Sequence, residues 1–139
     1  MTAYLDSSVL LRLVLGQAGA LSEWRTVQRG VASALVEVEC LRTLDRLRLR
    51  ERIPDTDLAV RREIVFRLLE AVELVEPTRA ILTRAAHPLP TELGTLDAIH
   101  LATALAWQER EGLELTMATH DLALATAARA FGLRVVGAA

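Results

Sequence analysis

The chain contains no lysine, and all 16 of its basic residues are arginine. That absence excludes several chemistries. A P-loop nucleotide site needs its lysine. A Schiff-base enzyme needs a reactive amine. A phosphoacceptor receiver domain needs a lysine near its aspartate. Cysteine is nearly absent as well. Cys40 stands alone, so neither an intrachain disulfide nor a cysteine zinc cluster can form. It lies in a leucine-rich helical stretch, where packing accounts for it. Aromatic residues make up only 4% of the chain, too few for base stacking to dominate recognition of a nucleic acid. No apolar run approaches the ~20 residues of a membrane span. The N-terminus lacks a basic-then-apolar leader. These features predict a soluble, cytoplasmic protein with no membrane association.

What is present fits a single domain over residues 1–139. Hydrophobic residues make up 52% of the chain, enough for a core and too many for disorder. The formal net charge is −2, so any nucleic acid must be held by a local basic patch.

Apolar runs and turn signals alternate along the chain. They predict strands at residues 2–5, 31–34, 72–75, 115–118 and 133–136. Helices are expected at 8–15, 21–29, 35–52, from Asp55 or Thr56 to about 71, at 78–86, at 96–110 with Thr95 as its cap, and from His120 or Asp121 to before Gly132. Alternating strands and helices predict an α/β fold, with a central parallel sheet of about five strands covered on both faces. Two consecutive helices between the second and third strands predict a helical hairpin insertion.

Four acids draw attention. Asp6 ends the first strand, in Tyr4-Leu5-Asp6-Ser7-Ser8. Asp121 follows the fourth, in Ala118-Thr119-His120-Asp121. Either would serve as a helix N-cap. Asp97 lies in the first turn of its helix, where negative charge suits the macrodipole. Glu39 lies about a turn and a half into the helix behind the second strand. At 100° per residue it shares a stripe with Leu35, Thr43 and Arg46. Each acid alone has a structural reading. Together they occupy places that converge on one edge of a parallel sheet. Close carboxylates repel and raise one another's pKa. A hard divalent cation, Mg²⁺ or Mn²⁺, removes that penalty. It can also activate water against a phosphodiester, so no protein nucleophile is required.

Of the histidines, His100 follows Asp97 by three residues and shares its helical face; packing or support of a ligand suits it better than ligation. His120 adjoins Asp121, which places it within reach of a substrate, with a surface position as the default. Arginines cluster in the hairpin: Arg42, Arg46, Arg48, Arg50 and Arg52, then Arg61 and Arg62. Arg42, Arg46 and Arg50 continue the Glu39 stripe. They form either a solvated face or an RNA phosphate track leading to the acids.

At these residues the chain resembles the PIN-domain nucleases, specifically the VapC toxins of toxin–antitoxin pairs. The elements carrying the likeness are Tyr4-Leu5-Asp6-Ser7-Ser8-Val9, Ser33 with Glu39 six residues later, Leu96-Asp97-Ala98-Ile99-His100-Leu101-Ala102-Thr103-Ala104, and Thr119-His120-Asp121. The resemblance implies a PIN-like α/β/α sandwich and a Mg²⁺- or Mn²⁺-dependent endoribonuclease. It matches Asp6, Glu39, Asp97 and Asp121 to the family's acidic quartet, the fourth acid often acting through water or from the second sphere. Ser8 and Thr119 match polar positions that orient the site. The resemblance further implies a homodimer and a neutralising VapB-type antitoxin lying along the hairpin, where residues 58–69 offer an apolar face that core packing alone would also explain. Gly94 departs from the pattern, since relatives often carry a basic residue there. Other readings stay open at this point: a PIN nuclease of RNA processing or of DNA without an antitoxin, or a catalytically silent PIN binding module. An aspartate-nucleophile phosphatase fits poorly, because Ser8 stands where its second aspartate belongs.

Overall fold

A computed structural model describes residues 1–138. Its strands are β1 (Thr2–Leu5), β2 (Arg29–Ser33), β3 (Val72–Val75), β4 (Thr116–Ala118) and β5 (Arg134–Val136). Its helices are α1 (Ser7–Leu15), α2 (Leu35–Glu51), α3 (Asp55–Glu70), α4 (Arg79–Ala85), α5 (Thr95–Glu111) and α6 (Leu122–Ala130). The strands form one fully parallel sheet in the order β3-β2-β1-β4-β5. Among the described residues, no helix is long and apolar enough to cross a membrane.

Strand side chains alternate between two buried faces. Ala3, Leu5 and Ala32 join Val9, Val36, Leu44 and Val65 of α1, α2 and α3 in one core. Tyr4, Val31 and Met117 join Leu101, Trp107, Leu124 and Ala128 of α5 and α6 in the other. The α2–α3 pair is the expected hairpin. Its Val65 and Leu69 are buried, and Leu58, Ile64 and Leu68 pack on the same core. The apolar face of residues 58–69 is therefore accounted for by packing within the chain.

Sequence expectation and structure differ at some boundaries. The helix expected at 21–29 is only a 3₁₀ turn, Ser22–Thr26. The chain must then extend so that Arg29 can pair with Thr2, and strand pairing overrides local helix propensity. Thr95 does not cap α5. Gly94 takes the cap position, and its carbonyl accepts the first bond, from the Ala98 amide at 2.9 Å. Likewise Pro54, rather than Asp55 or Thr56, sits at the α3 cap position.

The topology decides where a ligand can bind. From β1 the chain crosses to β2 on one side, whereas β4 continues to β5 on the other. The switch point is the crevice between β1 and β4, beyond their carboxyl ends, where open α/β sheets bind ligands.

Candidate active site and cation-binding cleft

Leu5 pairs with Ala118 in the last rung between β1 and β4. The next residues, Asp6 and Thr119, step off the sheet into the crevice. Asp6 occupies the N-cap position of α1, yet its side chain makes no cap bond. Instead Oδ2 accepts from the Ser8 hydroxyl at 2.7 Å and from the Thr119 hydroxyl at 2.9 Å. Both bonds fall on Oδ2, so Oδ1 is left for a ligand. Asp6 is only 4% exposed. A buried carboxylate that faces its own helix terminus without capping it has a role other than helix initiation.

Asp121 does cap α6, since Oδ1 accepts from the Leu124 amide at 2.8 Å. Its second oxygen is not used in the cap. Its own amide donates to Thr119 Oγ1 at 2.9 Å, and the His120 amide donates to Ser8 Oγ at 2.9 Å. Ser8 and Thr119 thus couple the two acid-bearing loops to each other.

Glu39 arrives from α2, directly behind β2. Its Oε1 contacts Nε2 of His100, and its Oε2 accepts from the Ser7 hydroxyl at 3.3 Å. His100 is completely buried. Its Nδ1 meets the Tyr4 hydroxyl at 2.6 Å, while the Ser33 amide donates to that same hydroxyl at 3.1 Å. In the neutral ring, Tyr4 therefore donates to Nδ1, and the ring hydrogen sits on Nε2, facing Glu39. Burial pushes the His100 pKa down, but the Glu39 hydrogen bond and the charges of Glu39, Asp6 and Asp97 overcome it, for a net rise. His100 backs Glu39 rather than standing free to bind a ligand itself.

Asp97 completes the set from the first turn of α5. Burial, then the charges of Asp121, Asp6 and Glu39, push its carboxyl up to about 6, with His100 opposing. The four acids thus share one field. Among the described residues, however, no three acidic, histidine or cysteine side chains stand close enough to enclose an ion unaided. Carboxylates without a counter-ion repel, and Mg²⁺ keeps several waters in its coordination shell, so an open ring of oxygen donors is compatible with such an ion. The donor set is all oxygen, which suits Mg²⁺ or Mn²⁺.

The cleft continues along α2. A cavity of about 380 Å³ is lined by Ser7, Leu35, Val38, Glu39, Arg42, Thr43, Arg46 and Leu96. The Glu39 stripe thus opens onto two of the three arginines predicted to hold RNA. Arg42 is tied to Asp45 at 3.0 Å, and Arg46 bonds the Thr43 hydroxyl at 3.0 Å. Arg50 is exposed further along α2 and does not line this cavity. Arg48 pairs with Asp45, and Arg61 with Asp57 and the Val14 carbonyl, so these two serve the fold. A larger cavity of about 560 Å³ lies beside the opposite face of α5, against Thr95, Ala98 and Ile99, and contains none of the four acids.

Sequence reasoning passed over Tyr4, Ser7 and Gly137. Tyr4 was legible in principle: it is the only tyrosine, it precedes Asp6 by two, and strand alternation turns it toward α5. His120 departs from its expected surface position. It is half-buried, and its Nδ1 bonds the Gly137 carbonyl at 2.9 Å. Cys40 is buried, and burial followed by the charges of Glu39 and Asp6 pushes its thiol up to about 12.

Comparisons with known proteins follow the same lines. A family model for the PIN domain matches residues 3–130. The chain is 34% identical over 137 residues to Ribonuclease VapC46 of Mycobacterium tuberculosis, covering 96% of this chain and 95% of that one. It is 36% identical over 138 residues to Ribonuclease VapC35 of the same species, covering 96% and 94%. A toxin–antitoxin complex from Klebsiella pneumoniae shares the fold at a TM-score of 0.64 and 16% identity, covering 92% of this chain and 90% of that one. VapBC2 from Rickettsia felis, bound to a promoter DNA fragment, does so at 0.66 and 11%, covering 97% of each. With the PIN model spanning nearly its whole length and two VapC relatives above one-third identity, the chain belongs to the PIN-domain family, among the VapC ribonucleases.

Proposed function

We propose that this protein is a Mg²⁺- or Mn²⁺-dependent endoribonuclease, the toxin of a type II toxin–antitoxin pair, acting on cytoplasmic RNA. The observation that carries the reading is the electrostatic coupling of Asp97 to Asp121, Asp6 and Glu39, which together with burial raises its carboxyl to about 6. A divalent cation held there supplies Lewis acidity, offsetting that repulsion and stabilising charge on the phosphoryl oxygens as the bond breaks.

The chain's own residues do the rest. Ser8 and Thr119 fix the Asp6 carboxylate so that it presents Oδ1. Tyr4 and His100 fix Glu39 from behind. Asp121 divides its carboxylate between the α6 cap and the cleft. Arg42 and Arg46 border the cavity that leads away from Glu39, where their guanidiniums suit bidentate contacts to backbone phosphates. Arg50 would extend that track. The named activity of VapC46 and VapC35 supports RNA as substrate. Neighbours solved as toxin–antitoxin complexes support a VapB-type antitoxin as partner; a homodimer is the assembly proposed from the family resemblance alone.

The test is cleavage of total cellular RNA by purified, antitoxin-free protein, with Mg²⁺ or Mn²⁺ and with chelator. Discrete fragments that need the cation are expected. A folded protein that cuts no RNA in either metal contradicts the proposal.

A further inference from the structure

Beyond β5 the chain turns back over the loop that carries Thr119 and Asp121. Three contacts make the turn. The Thr119 amide donates to the Val136 carbonyl at 3.1 Å. His120 Nδ1 lies 2.9 Å from the Gly137 carbonyl. The Arg129 guanidinium donates to the Ala138 carbonyl at 3.0 Å. Gly137 itself has φ +96°, and a Cβ there would stand 2.6 Å from the Thr119 carbonyl oxygen, 3.2 Å from Leu21 Cδ1 and 3.3 Å from His120 Nδ1. The first of those partners is backbone of the acid-bearing loop. It cannot swing aside as a side chain would, so any residue larger than glycine displaces the loop.

The histidine's chemistry is equally specific. A carbonyl only accepts, so Nδ1 carries the hydrogen in this contact. Nε2 is buried and has no hydrogen-bond partner among the described residues. A ring with one nitrogen spent on a backbone carbonyl and the other closed off from solvent is not poised to exchange protons with a substrate. It is arranged to tether. On one side its amide holds Ser8 Oγ, which in turn holds Asp6; on the other its ring holds the segment after β5.

We infer that residues 136–138 act as a clasp on the acid-bearing loop, with His120 (through Nδ1–H to the Gly137 carbonyl) and Gly137 (through its missing Cβ) as positioning residues for Thr119 and Asp121. Its functional meaning rests on the nuclease reading above. Neither residue is among the four acids or the arginines that border the cavity. Their effect passes through Thr119 and Ser8 to Asp6, and through the start of α6 to Asp121.

The test separates the two ring nitrogens. Asparagine at 120 places an amide nitrogen near the position of Nδ1, whereas glutamine reaches toward Nε2. Amide hydrogen exchange, followed by NMR, reports on the loop without reference to activity. In His120→Ala, His120→Gln and Gly137→Ala, exchange at the Thr119, residue 120 and Asp121 amides is expected to quicken roughly tenfold relative to that of Ala32 in β2. In His120→Asn it is expected to stay within about twofold of the parent. Gly132→Ala is the control, because Gly132 also has positive φ (+83°) but open space around it. It strains the backbone without displacing the loop, so no selective quickening is expected. In parallel, the clasp variants bind Mn²⁺ several-fold more weakly and lower kcat, with KM for RNA little changed. His120→Asn exchanging as fast as His120→Ala, or Gly137→Ala leaving these amides untouched, would overturn the clasp. If the exchange pattern holds while the parent cuts no RNA, the nuclease reading falls and the clasp stands.

Discussion

The hydroxyl of Thr119 donates to the carboxylate of Asp6 at 2.9 Å, across the seam between β4 and β1. These residues are 113 positions apart in the chain, and the bond lies where the parallel sheet divides. The same hydroxyl oxygen accepts the Asp121 amide. One side chain therefore registers two of the four acids against each other. Replacing it with valine keeps the shape and removes the bonds. Thr119→Val is expected to lose about 1–3 kcal/mol of stability, because the Asp121 amide is left unpaired. Cleavage should slow about 10- to 100-fold, the usual effect of removing a partner that orients a metal-site carboxylate. Urea denaturation and RNA cleavage rates check both.

Tyr4→Phe probes the opposite wall of the cleft. It removes the oxygen that joins the Ser33 amide to His100 Nδ1. Two buried polar groups then lose their partner, at a cost of about 1–3 kcal/mol each. Glu39 keeps its carboxylate but loses the fixed imidazole behind it, so kcat should fall more than KM rises. Stopped single-turnover cleavage separates the two.

How much of this was legible in the sequence depends on the kind of contact. The sheet, the hairpin and the four acids follow from local patterns: apolar alternation, caps, and acids placed just after strands or at helix starts. The seam between β1 and β4 is a long-range fact, and so are the pairings that depend on it. Nothing near Thr119 in sequence announces that its hydroxyl faces Asp6. The reading of Asp6 as no more than a helix cap holds locally and fails because Ser8 and Thr119 claim its oxygen. For Asp121 the capping expectation is fulfilled, and the acid still borders the cleft. The 3₁₀ turn at Ser22–Thr26 was missed for the same reason: β2 pairing, absent from local sequence, governs where that segment must end.

Titration of the acid cluster sets a pH dependence for the cation-free protein. Burial and neighbouring acids raise Asp97 from the usual 3.8 to about 6. Between those values the unfolded chain releases a proton that the folded chain retains, so stability falls as pH rises. Above about 6 the penalty is complete. His100 works in the same direction. Burial alone would lower its pKa, but Glu39 and the other acids raise it above the usual 6.5, so the stability it contributes below 6.5 is lost as pH climbs through its folded value. Chelated protein should therefore melt at a higher temperature near pH 5 than near pH 7.5, through these two groups. Added Mn²⁺ should raise Tm markedly at about pH 7.5 and less at about pH 5, because Asp97, raised to about 6, must lose its proton before it can bind the ion. Calorimetric scans with and without chelator check the sign.

Among the described residues, Arg46 borders the cavity beside Glu39 and is held by a neutral hydroxyl alone, whereas Arg42 is already paired with Asp45. Arg46→Ala is expected to raise KM several-fold, leave kcat nearly intact and reduce the salt slope of RNA binding by about 1. Arg42→Ala should do less. Binding measured across a salt series distinguishes them.

The thiol of Cys40 should be inert in the folded protein, being buried and raised to about 12 by burial and by the charges of Glu39 and Asp6. Thiol reagents are expected to label it only after denaturant is added, which mass spectrometry reads directly.

The most direct test of the cation-site account is the rate of RNA cleavage across a Mn²⁺ titration, for the parent and for Asp97→Asn. The substitution keeps the shape of the side chain and removes the titrating carboxyl whose pKa burial and the other three acids raise. The account predicts saturable, Mn²⁺-dependent cleavage by the parent and a loss of about 100-fold or more in the variant. Cleavage by Asp97→Asn at the parent's rate and with the parent's Mn²⁺ dependence would contradict it.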